Sequence, residues 1–430
     1  MPKKKRIVKE SKKVDKTSKG KSPSMADRLI LITQAFLQDL LCAREMFSVV
    51  VQMLEKLDDD RTKKIDKIIE HLKTINKKKK SNIKLQDKQK IISNVRYLAS
   101  NLNKLHRANL MFRCNSLVLL VSKYDEFLSD ILKILFKTYP EQLKNSDKSI
   151  SYEDIADVND MSDILDKFIS KEIDKIIHSS HEQQLEFLDK RLKLGLKDSF
   201  SSWNDFVEIT ERRNLIVHCG GEVNCQYLKS CKTHGIKIAK KIKEGICLSV
   251  DNQYFEKAYK IIYEIGLRIG QGVHRQLFKS CVKDADCSLT SMIGVPLEDD
   301  KQWELAKVVF DFALAIPKNL VSDDEMHKIY VINACICLKA LGQKKRMNTL
   351  LDAVDWSSAS SKFVLAINVL KEKYEEAEKV MSTMNGKDPI NEESFRSWPL
   401  FREFRETEYF VTAFKKIYKR DYEPIIPESN

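Results

Sequence analysis

The spacing of apolar residues along the chain predicts long helices. Over residues 25–57, large apolar side chains recur at steps of three and four, as on one face of an α-helix, and residues 61–72 continue this pattern. Residues 86–139 carry two dense apolar runs among helix-forming residues and end at Pro140, which favours a buried helix over strands. The chain has only 12 glycines and 9 prolines in 430 residues, so turns are sparse. The pattern predicts an all-α protein.

Shorter periodic segments predict four further helices, at 160–177, 183–194, 199–219 and 253–278. Gly220 and Gly221 follow the third of these, and glycine readily adopts the left-handed conformation that closes a helix. Ser201 or Ser202 is a suitable N-cap for the same helix. Residues 221–248 show mixed patterning and predict a small extended element.

A change of pattern at residues 281–297 predicts a linker, because apolar periodicity fades and Gly294 and Pro296 occur there. The first helical domain is therefore placed at 25–280 and a second at 298–420. Helices are predicted in the second domain at 301–316, 323–341, 345–353, 360–370, 374–384 and 398–418. Small residues are expected at their crossings: Ala306, Ala313, Ala334, Ala340, Ala366 and Ala377. This predicts stacked helical hairpins whose architecture resembles tetratricopeptide-like arrays, although no 34-residue period can be counted.

The net charge of +13 and the pI near 9.0 favour an anionic partner, since clustered lysines and arginines gain affinity for phosphates by releasing counterions. Much of the excess is local, in residues 3–21 and in the run 77–80, which can equally be solvated segments. Residues 1–24 are predicted to be a disordered basic arm, and 421–430 a tail. The PKKKR sequence at 2–6 resembles a nuclear localisation signal, with a plain basic arm or a start-site artefact as the alternatives.

The ten cysteines show no regular framework, and no apolar leader precedes them, so we expect reduced thiols in a cytoplasmic protein. No apolar run reaches the roughly 18–20 residues that a membrane span needs. The candidate zinc ligands are Cys219, Cys225, Cys231 and His234. Only the last two have close spacing, so ordinary reduced cysteines and no metal are expected. No GxxxxGK loop occurs, which argues against a built-in ATPase.

The stretch ERRNLIVHCGG, residues 211–221, groups three polar side chains on one arc of a helix. With Arg213 at zero, Asn214 lies at about 100° and His218 at about 140° around the helix axis. The aliphatic residues between them fall on the other side and can anchor the helix. Arg212 starts from the opposite face and is a weaker candidate.

These three groups suit cleavage of a phosphodiester in RNA. The ribose 2′-OH must lose a proton as it attacks phosphorus, and an imidazole that titrates near neutrality can take or return that proton. A guanidinium can donate two hydrogen bonds to the phosphate oxygens where negative charge accumulates. Asn214 can hold His218 or a substrate oxygen. Because the RNA supplies the nucleophile, no metal or other cofactor is required, and the expected product is a 2′,3′-cyclic phosphate.

The pattern Arg213-Asn214-x3-His218 resembles the signature of the HEPN superfamily, all-α proteins many of which are ribonucleases. The wider context RRNLIVHCGGEVNCQYL, with the earlier LVLLVSKYDEFLSDIL, is similar to a HEPN subgroup from bacterial defence and toxin loci. The resemblance covers roughly residues 25–280. It departs at Cys219, where that subgroup often has Asn.

The resemblance implies an endoribonuclease that forms a homodimer, with two motifs facing each other across one cleft. It carries over to Arg213, Asn214 and His218 as catalytic residues. Arg212 and Glu126 are weaker candidates for RNA binding, Glu126 because it matches an acidic position only loosely. The C-terminal hairpins are then expected to recognise a trigger, a protein partner or the RNA.

Two other interpretations of the motif stay open. One is a non-catalytic helical scaffold or RNA-binding module with a degenerate HEPN site, and the other is a surface salt bridge or helix cap. Spacing alone is weak support, since Arg268 and His274 in RIGQGVH also satisfy a loose Arg-to-His pattern. That match lacks a polar residue after the arginine and contains two glycines, which predicts a weaker helix.

Overall fold

The computed structural model describes residues 23–77, 85–143, 160–384 and 390–424. The predicted basic arm up to residue 22, the lysine run 78–80, the connection 144–151 and the end of the tail from 425 lie outside these ranges. The first unit contains helices α1 (Met25–Lys77), α2 (Leu85–Thr138), α3 (Met161–Ile177), α4 (His181–Leu192), α5 (Leu196–Ser199), α6 (Trp203–Cys219), α7 (Cys225–Thr233) and α8 (Asn252–Leu277). Helices α9 (Val282–Cys287), α10 (Val295–Asp299), α11 (Trp303–Ala315), α12 (Asp324–Ala340), α13 (Lys344–Asp352), α14 (Ser361–Leu370), α15 (Tyr374–Thr383), α16 (Glu392–Ser397) and α17 (Glu408–Tyr418) follow.

The described residues confirm the all-α class. Their one β pairing is an isolated antiparallel bridge between Glu222 and Cys247, within the region where a small extended element was predicted. None of the helices in the described ranges combines the length and apolarity needed to cross a bilayer.

Helices α1 and α2 form a long antiparallel hairpin. The two segments predicted at 25–57 and 61–72 are one continuous helix of 53 residues. Phe36 of α1 stacks on Phe127 of α2 with ring centroids 4.3 Å apart, and Arg113 of α2 donates to Glu55 of α1 at 2.6 Å. Paired apolar stripes and cross-helix ion pairs therefore hold the two helices together along their length.

Helix α8 lies against this hairpin and approaches α1 very closely. A Cβ atom at Gly266 would stand 2.1 Å from the ring of Phe36, and one at Gly270 would stand 2.3 Å from Oγ1 of Thr33. Only glycine permits this approach, because any larger residue would force the two helices apart. Gly270, one of the two glycines that predicted a weak helix in RIGQGVH, therefore serves packing, and α8 is regular through it and through Gly272.

The segment predicted as a linker, 281–297, is helical, and about half of its residues are buried. It consists of α9, a π-helix at Ser288–Gly294 and the start of α10. Asp286 within it is fully buried and accepts hydrogen bonds from Arg275 of α8 and from Tyr330 of α12, both at 2.6 Å. Its polar residues reduced the apolar periodicity, but they are engaged in a buried network that joins the two helical units.

The C-terminal helices pack as consecutive hairpins around α12. One cluster of buried apolar residues runs from Leu29 in α1 to Cys337 in α12, and a second from Val331 in α12 to Phe414 in α17, so α12 contributes to both. The alanines predicted at the crossings are buried except Ala340, which is exposed at the end of α12.

Residues 398–418 differ from the single helix that their pattern predicted. They form two 3₁₀ turns, Pro399–Phe401 and Phe404–Glu406, before α17 begins. Proline cannot donate a helical hydrogen bond, and the Thr407 side chain caps α17 by accepting from the amide of Phe410. The break lets Phe401 and Phe404 enter the second core.

Glu298 carries a buried carboxyl group at the junction between the two cores. Its side chain is fully buried, and the Cys337 thiol donates to it at 3.3 Å. Burial raises the pKa of the Glu298 carboxyl to about 8, from 4.5. The protonated form is therefore favoured in the folded state.

We expect this group to make the protein less stable as pH rises. Because the folded-state pKa lies above the unfolded value, its stabilisation is fully present below pH 4.5 and is lost by about pH 8. Relative to Glu298→Gln, which keeps an acceptor for Cys337, the wild type should lose on the order of 4 kcal/mol of unfolding free energy over that range. Urea denaturation at mildly acidic and mildly basic pH measures this. A difference between the two proteins that does not change with pH would contradict it.

Candidate active site

The motif helix α6 ends where the sequence predicts. Gly220 and Gly221 both have left-handed backbones, with φ of 60° and 86°. The amide of Gly221 donates to the carbonyl of Leu215 at 3.0 Å, and its carbonyl accepts from the amide of Leu248 at 2.9 Å. Leu215 and Leu248 also belong to a small apolar cluster with Tyr227 of α7. The region after the motif therefore packs back on α6 and fixes its C-terminal end.

Arg213 lies between two oxygen acceptors. Its Nη1 donates to Oδ1 of Asn214 at 3.1 Å, and its Nη2 pairs with Oδ2 of Asp125 in α2 at 3.4 Å. The side chain is 23% exposed and that of Asp125 is 21% exposed, so the pair is mostly shielded from water. Nε of Arg213 is buried without a hydrogen-bond partner in the described residues. Two of the three predicted catalytic side chains are thus in direct contact, and α2 helps to hold them.

Asp125 also accepts a hydrogen bond from His181, which the sequence analysis missed. Nε2 of His181 lies 3.0 Å from Oδ1 of Asp125, and the imidazole is buried near the rings of Tyr124 and Phe206. A chain of polar contacts therefore runs from His181 through Asp125 to Arg213. His181 opens helix α4 far from the motif in sequence, and no spacing rule connects the two.

Asp125, in contrast, has a signal in the sequence. It lies on the same face of α2 as Val121, Leu128 and Leu132, which are all buried at positions three, four and seven residues away. A carboxylate within such an apolar stripe requires a buried partner. The apolar face of α2 therefore indicates that Asp125 has a buried partner.

Glu126 lies on the exposed side of α2 and does not contact the motif. It pairs with Lys123 at 3.0 Å, and its side chain is 65% exposed. The acidic group beside Arg213 is therefore its neighbour Asp125. One position along a helix turns a side chain by about 100°, enough to move it from one face to another.

His218 is exposed in the last turn of α6. Among the described residues, its imidazole has no hydrogen bond or ion pair. Val217 and Cys219 beside it are exposed as well, Val217 to 48%. Asn214 precedes His218 by four residues, which places the two side chains on the same face of α6. The imidazole is therefore accessible to a molecule bound at this end of the helix.

Arg212 is engaged in a buried network on the other side of α6. It pairs with Glu208 at 2.8 Å and lies over the ring of Tyr254 at 3.8 Å. Glu208 also accepts from the hydroxyl groups of Tyr227 and Tyr254, each at 2.7 Å. Burial lowers the pKa of the Arg212 guanidinium, but the neighbouring Tyr254 and Glu208 outweigh this and raise it overall. Arg212 thus fastens α6 to α8 and stands apart from the group around Arg213.

A second set of ionisable groups flanks the motif. His234 pairs with Glu182 at 2.7 Å, and although burial opposes it, this hydrogen bond raises the pKa of His234. Glu211, the first residue of the motif, is half-buried, and its desolvation raises the pKa of its carboxyl group against the opposing effect of His181. Glu182 and Glu211 are acidic groups on the His181 side of the helix.

The zinc candidates do not form a cluster. The described ranges hold no group of three His, Cys, Asp or Glu side chains placed to ligate a metal. Cys231 is buried, and His234 is paired with Glu182. Sγ of Cys219 accepts a hydrogen bond from the side-chain amide of Asn224 at 3.4 Å. Cys219 and Cys225 are both exposed.

The competing match at Arg268 and His274 belongs to the core. Arg268 pairs with Glu264 at 2.7 Å, and His274 is only 1% exposed. Desolvation, followed by the charge of Arg275, lowers the pKa of His274 to about 4. A neutral, buried imidazole cannot exchange protons with an external substrate, so this pair is structural.

No family model matches the chain, and no curated protein or solved structure matches it either. The structure itself shows an all-α protein in which an exposed histidine lies in the last turn of a helix. Mostly buried ion pairs hold this helix in place.

We expect Asp125 to stabilise the motif helix, whereas its neighbour Glu126 should contribute little. Asp125→Ala leaves Arg213 and His181 without their shared carboxylate, which should reduce the free energy of unfolding by about 1–3 kcal/mol. Glu126→Ala is the matched control and should stay within about 0.5 kcal/mol of wild type, since it removes only an exposed pair. Chemical denaturation of both variants measures this. Equal effects of the two substitutions would contradict the assignment.

Proposed function

We propose that the protein is a metal-independent endoribonuclease that cleaves RNA by attack of the ribose 2′-OH. The reaction leaves a 2′,3′-cyclic phosphate on one product and a free 5′-OH on the other. His218 moves the proton and Arg213 binds the phosphate. Asn214 holds either His218 or a substrate oxygen in place. The observation that carries this proposal is the imidazole of His218, which is exposed and has no hydrogen bond or ion pair within the described part of the chain.

Proton transfer requires an imidazole that reaches solvent and is not already engaged. His218 meets both conditions at the end of α6. In contrast, His181 and His234 donate to or pair with carboxylates, and His274 is buried. His218 is therefore the histidine near the motif that can take a proton from a 2′-OH and later return one to the leaving oxygen.

Phosphate binding requires a guanidinium held in a fixed orientation with donors to spare. Asp125 and Asn214 each accept one hydrogen bond from Arg213, and a guanidinium carries five N–H donors. Nε is buried, so the second N–H of Nη1 and that of Nη2 are the donors left for the phosphate oxygens as negative charge develops on them. In this proposal Asp125 positions Arg213 and does not itself touch RNA.

Two further parts of the proposal rest on the resemblance to the HEPN superfamily. The first is a homodimer in which two motifs face each other and form one cleft. The second is a role in a defence or toxin system, with the C-terminal hairpins recognising a trigger or partner.

We expect purified protein to cleave single-stranded RNA in the presence of EDTA. Arg213→Ala and His218→Ala should each reduce the cleavage rate at least a hundredfold, because each removes a group that acts in the transition state. A substrate with 2′-deoxyribose at the cleaved position should resist cutting, and mass spectrometry of the product should show the cyclic phosphate.

His178→Ala is a suitable control, because His178 is exposed just after α3 and, among the described residues, its imidazole bonds to the carbonyl of Asp174 alone. It should cleave RNA at the wild-type rate. Undiminished cleavage by Arg213→Ala and His218→Ala would refute the site. RNA binding without cleavage by any form would favour the alternative, a non-catalytic helical module with a degenerate site, which the ion pair between Arg213 and Asp125 also fits.

We expect the active species to be a dimer, measurable as twice the chain mass of 49.9 kDa by sedimentation equilibrium. Introducing a charge beside the motif with Val217→Glu should weaken association and cleavage together, since Val217 is exposed next to His218. Val411→Glu, at an exposed position of α17 in the second helical unit, is the matched control. A monomer with full activity would contradict the shared cleft.

A further inference from the structure

A cavity of about 400 Å³ opens between the π-helix at Ser288–Gly294 and the C-terminal hairpins. Helices α12, α14 and α16 supply its other walls. Its surface is mainly apolar, with Met326, Ile329, Ile332, Phe363 and Trp398 among the lining residues. Its volume lies within the range of small-molecule sites, which is roughly 300–1,000 Å³. The cavity is remote in sequence from the motif of α6, and no part of the proposed ribonuclease chemistry uses it.

The π-helix that forms one wall is a rare element. Such segments are mostly found as single turns, frequently at functional sites. Here it runs for seven residues and ends at Gly294, where a Cβ atom would stand 2.4 Å from the ring of Phe310. The glycine lets the π-helix pack directly on Phe310 of α11, and Thr290 and Ser291 of the π-helix line the cavity.

Asn333 lines the cavity and is incompletely satisfied. The residue is only 3% exposed, and its Oδ1 accepts no hydrogen bond among the described residues. A buried amide oxygen without a partner is unfavourable, and a bound molecule that donates an N–H or O–H to it removes this penalty. Asn333 therefore specifies a hydrogen-bond donor on the ligand.

The two lysines at the cavity differ in their partners. Lys362 pairs with Glu325 and lies over the ring of Phe363 at 4.9 Å. Lys283 is exposed and has no ion pair among the described residues. One positive charge at the edge of an apolar cavity is thus left to complement a negative charge on the ligand.

We propose that this cavity binds a small amphipathic anion: an aromatic or similarly flat apolar body that carries one N–H or O–H donor and one anionic group. The apolar walls take the body, Oδ1 of Asn333 accepts from the donor, and the ammonium group of Lys283 pairs with the anion.

Three probes separate these contributions by calorimetric titration of the full-length protein. Indole-3-acetate has all three features, naphthalene-1-acetate lacks the N–H, and 3-methylindole lacks the carboxylate. We expect indole-3-acetate to bind best. Naphthalene-1-acetate should bind roughly tenfold more weakly, because Asn333 stays unpaired in that complex. The uncharged 3-methylindole should bind several-fold more weakly and show less dependence on salt.

Variants assign each preference to a residue. Asn333→Leu should bind the two acetates equally, and its retained binding of naphthalene-1-acetate shows that it is folded. Lys283→Gln should lose the preference for the carboxylate, whereas Lys279→Gln, an exposed lysine outside the cavity lining, should behave as wild type. Met326→Trp should block all three probes by filling the space.

Several results would overturn the proposal. These are equal affinity of the wild type for all three probes, discrimination that survives in Asn333→Leu and Lys283→Gln, and binding that Met326→Trp leaves intact. Failure of every probe to bind at its solubility limit would also overturn it. The readout is independent of RNA cleavage, so loss of the proposed ribonuclease activity would leave it untouched.

Discussion

The close approach of α8 to α1 is the contact on which the other elements depend. Gly266 and Gly270 bring the two helix backbones together, and α8 also contacts α2, the motif helix α6, α9 and α11. Near its N-terminal end Tyr254 bonds to Glu208 of the motif helix, and at its C-terminal end Arg275 bonds to Asp286. A side chain at either glycine would clash with Phe36 or Thr33 of α1, because close-packed helices leave no free space between them.

Two mostly buried carboxylates, Glu208 and Asp125, fix the motif helix in place. Glu208 fastens one side of α6 to α8 through Arg212, and Asp125 fastens the other side to α2 through Arg213. Each carboxylate has several hydrogen-bond partners, which offsets the cost of its desolvation. The end of the helix is thereby fixed while His218 stays exposed. The charged groups that hold α6 in place are thus distinct from the exposed imidazole of His218.

The two helical units are less separable than their sequences suggest. Tyr330 and Cys337 of α12 belong to the first core, and Val331 and Leu338 of the same helix belong to the second. The π-helix continues from the buried Asp286 and borders the cavity that contains Asn333. The π-helix wall of that cavity and helix α8 are therefore joined by buried contacts through Asp286.

The sequence by itself determined the helical class, most helix boundaries and the stop at Gly220, because these depend on local periodicity and backbone preference. It also placed Arg213, Asn214 and His218 on one arc. Only the tertiary structure decided which carboxylate meets Arg213, since Asp125 and Glu126 are adjacent in the chain and differ only in the face they present. The partnership of His181 and the burial of residues 281–297 likewise arise from contacts between distant segments, which no local pattern encodes.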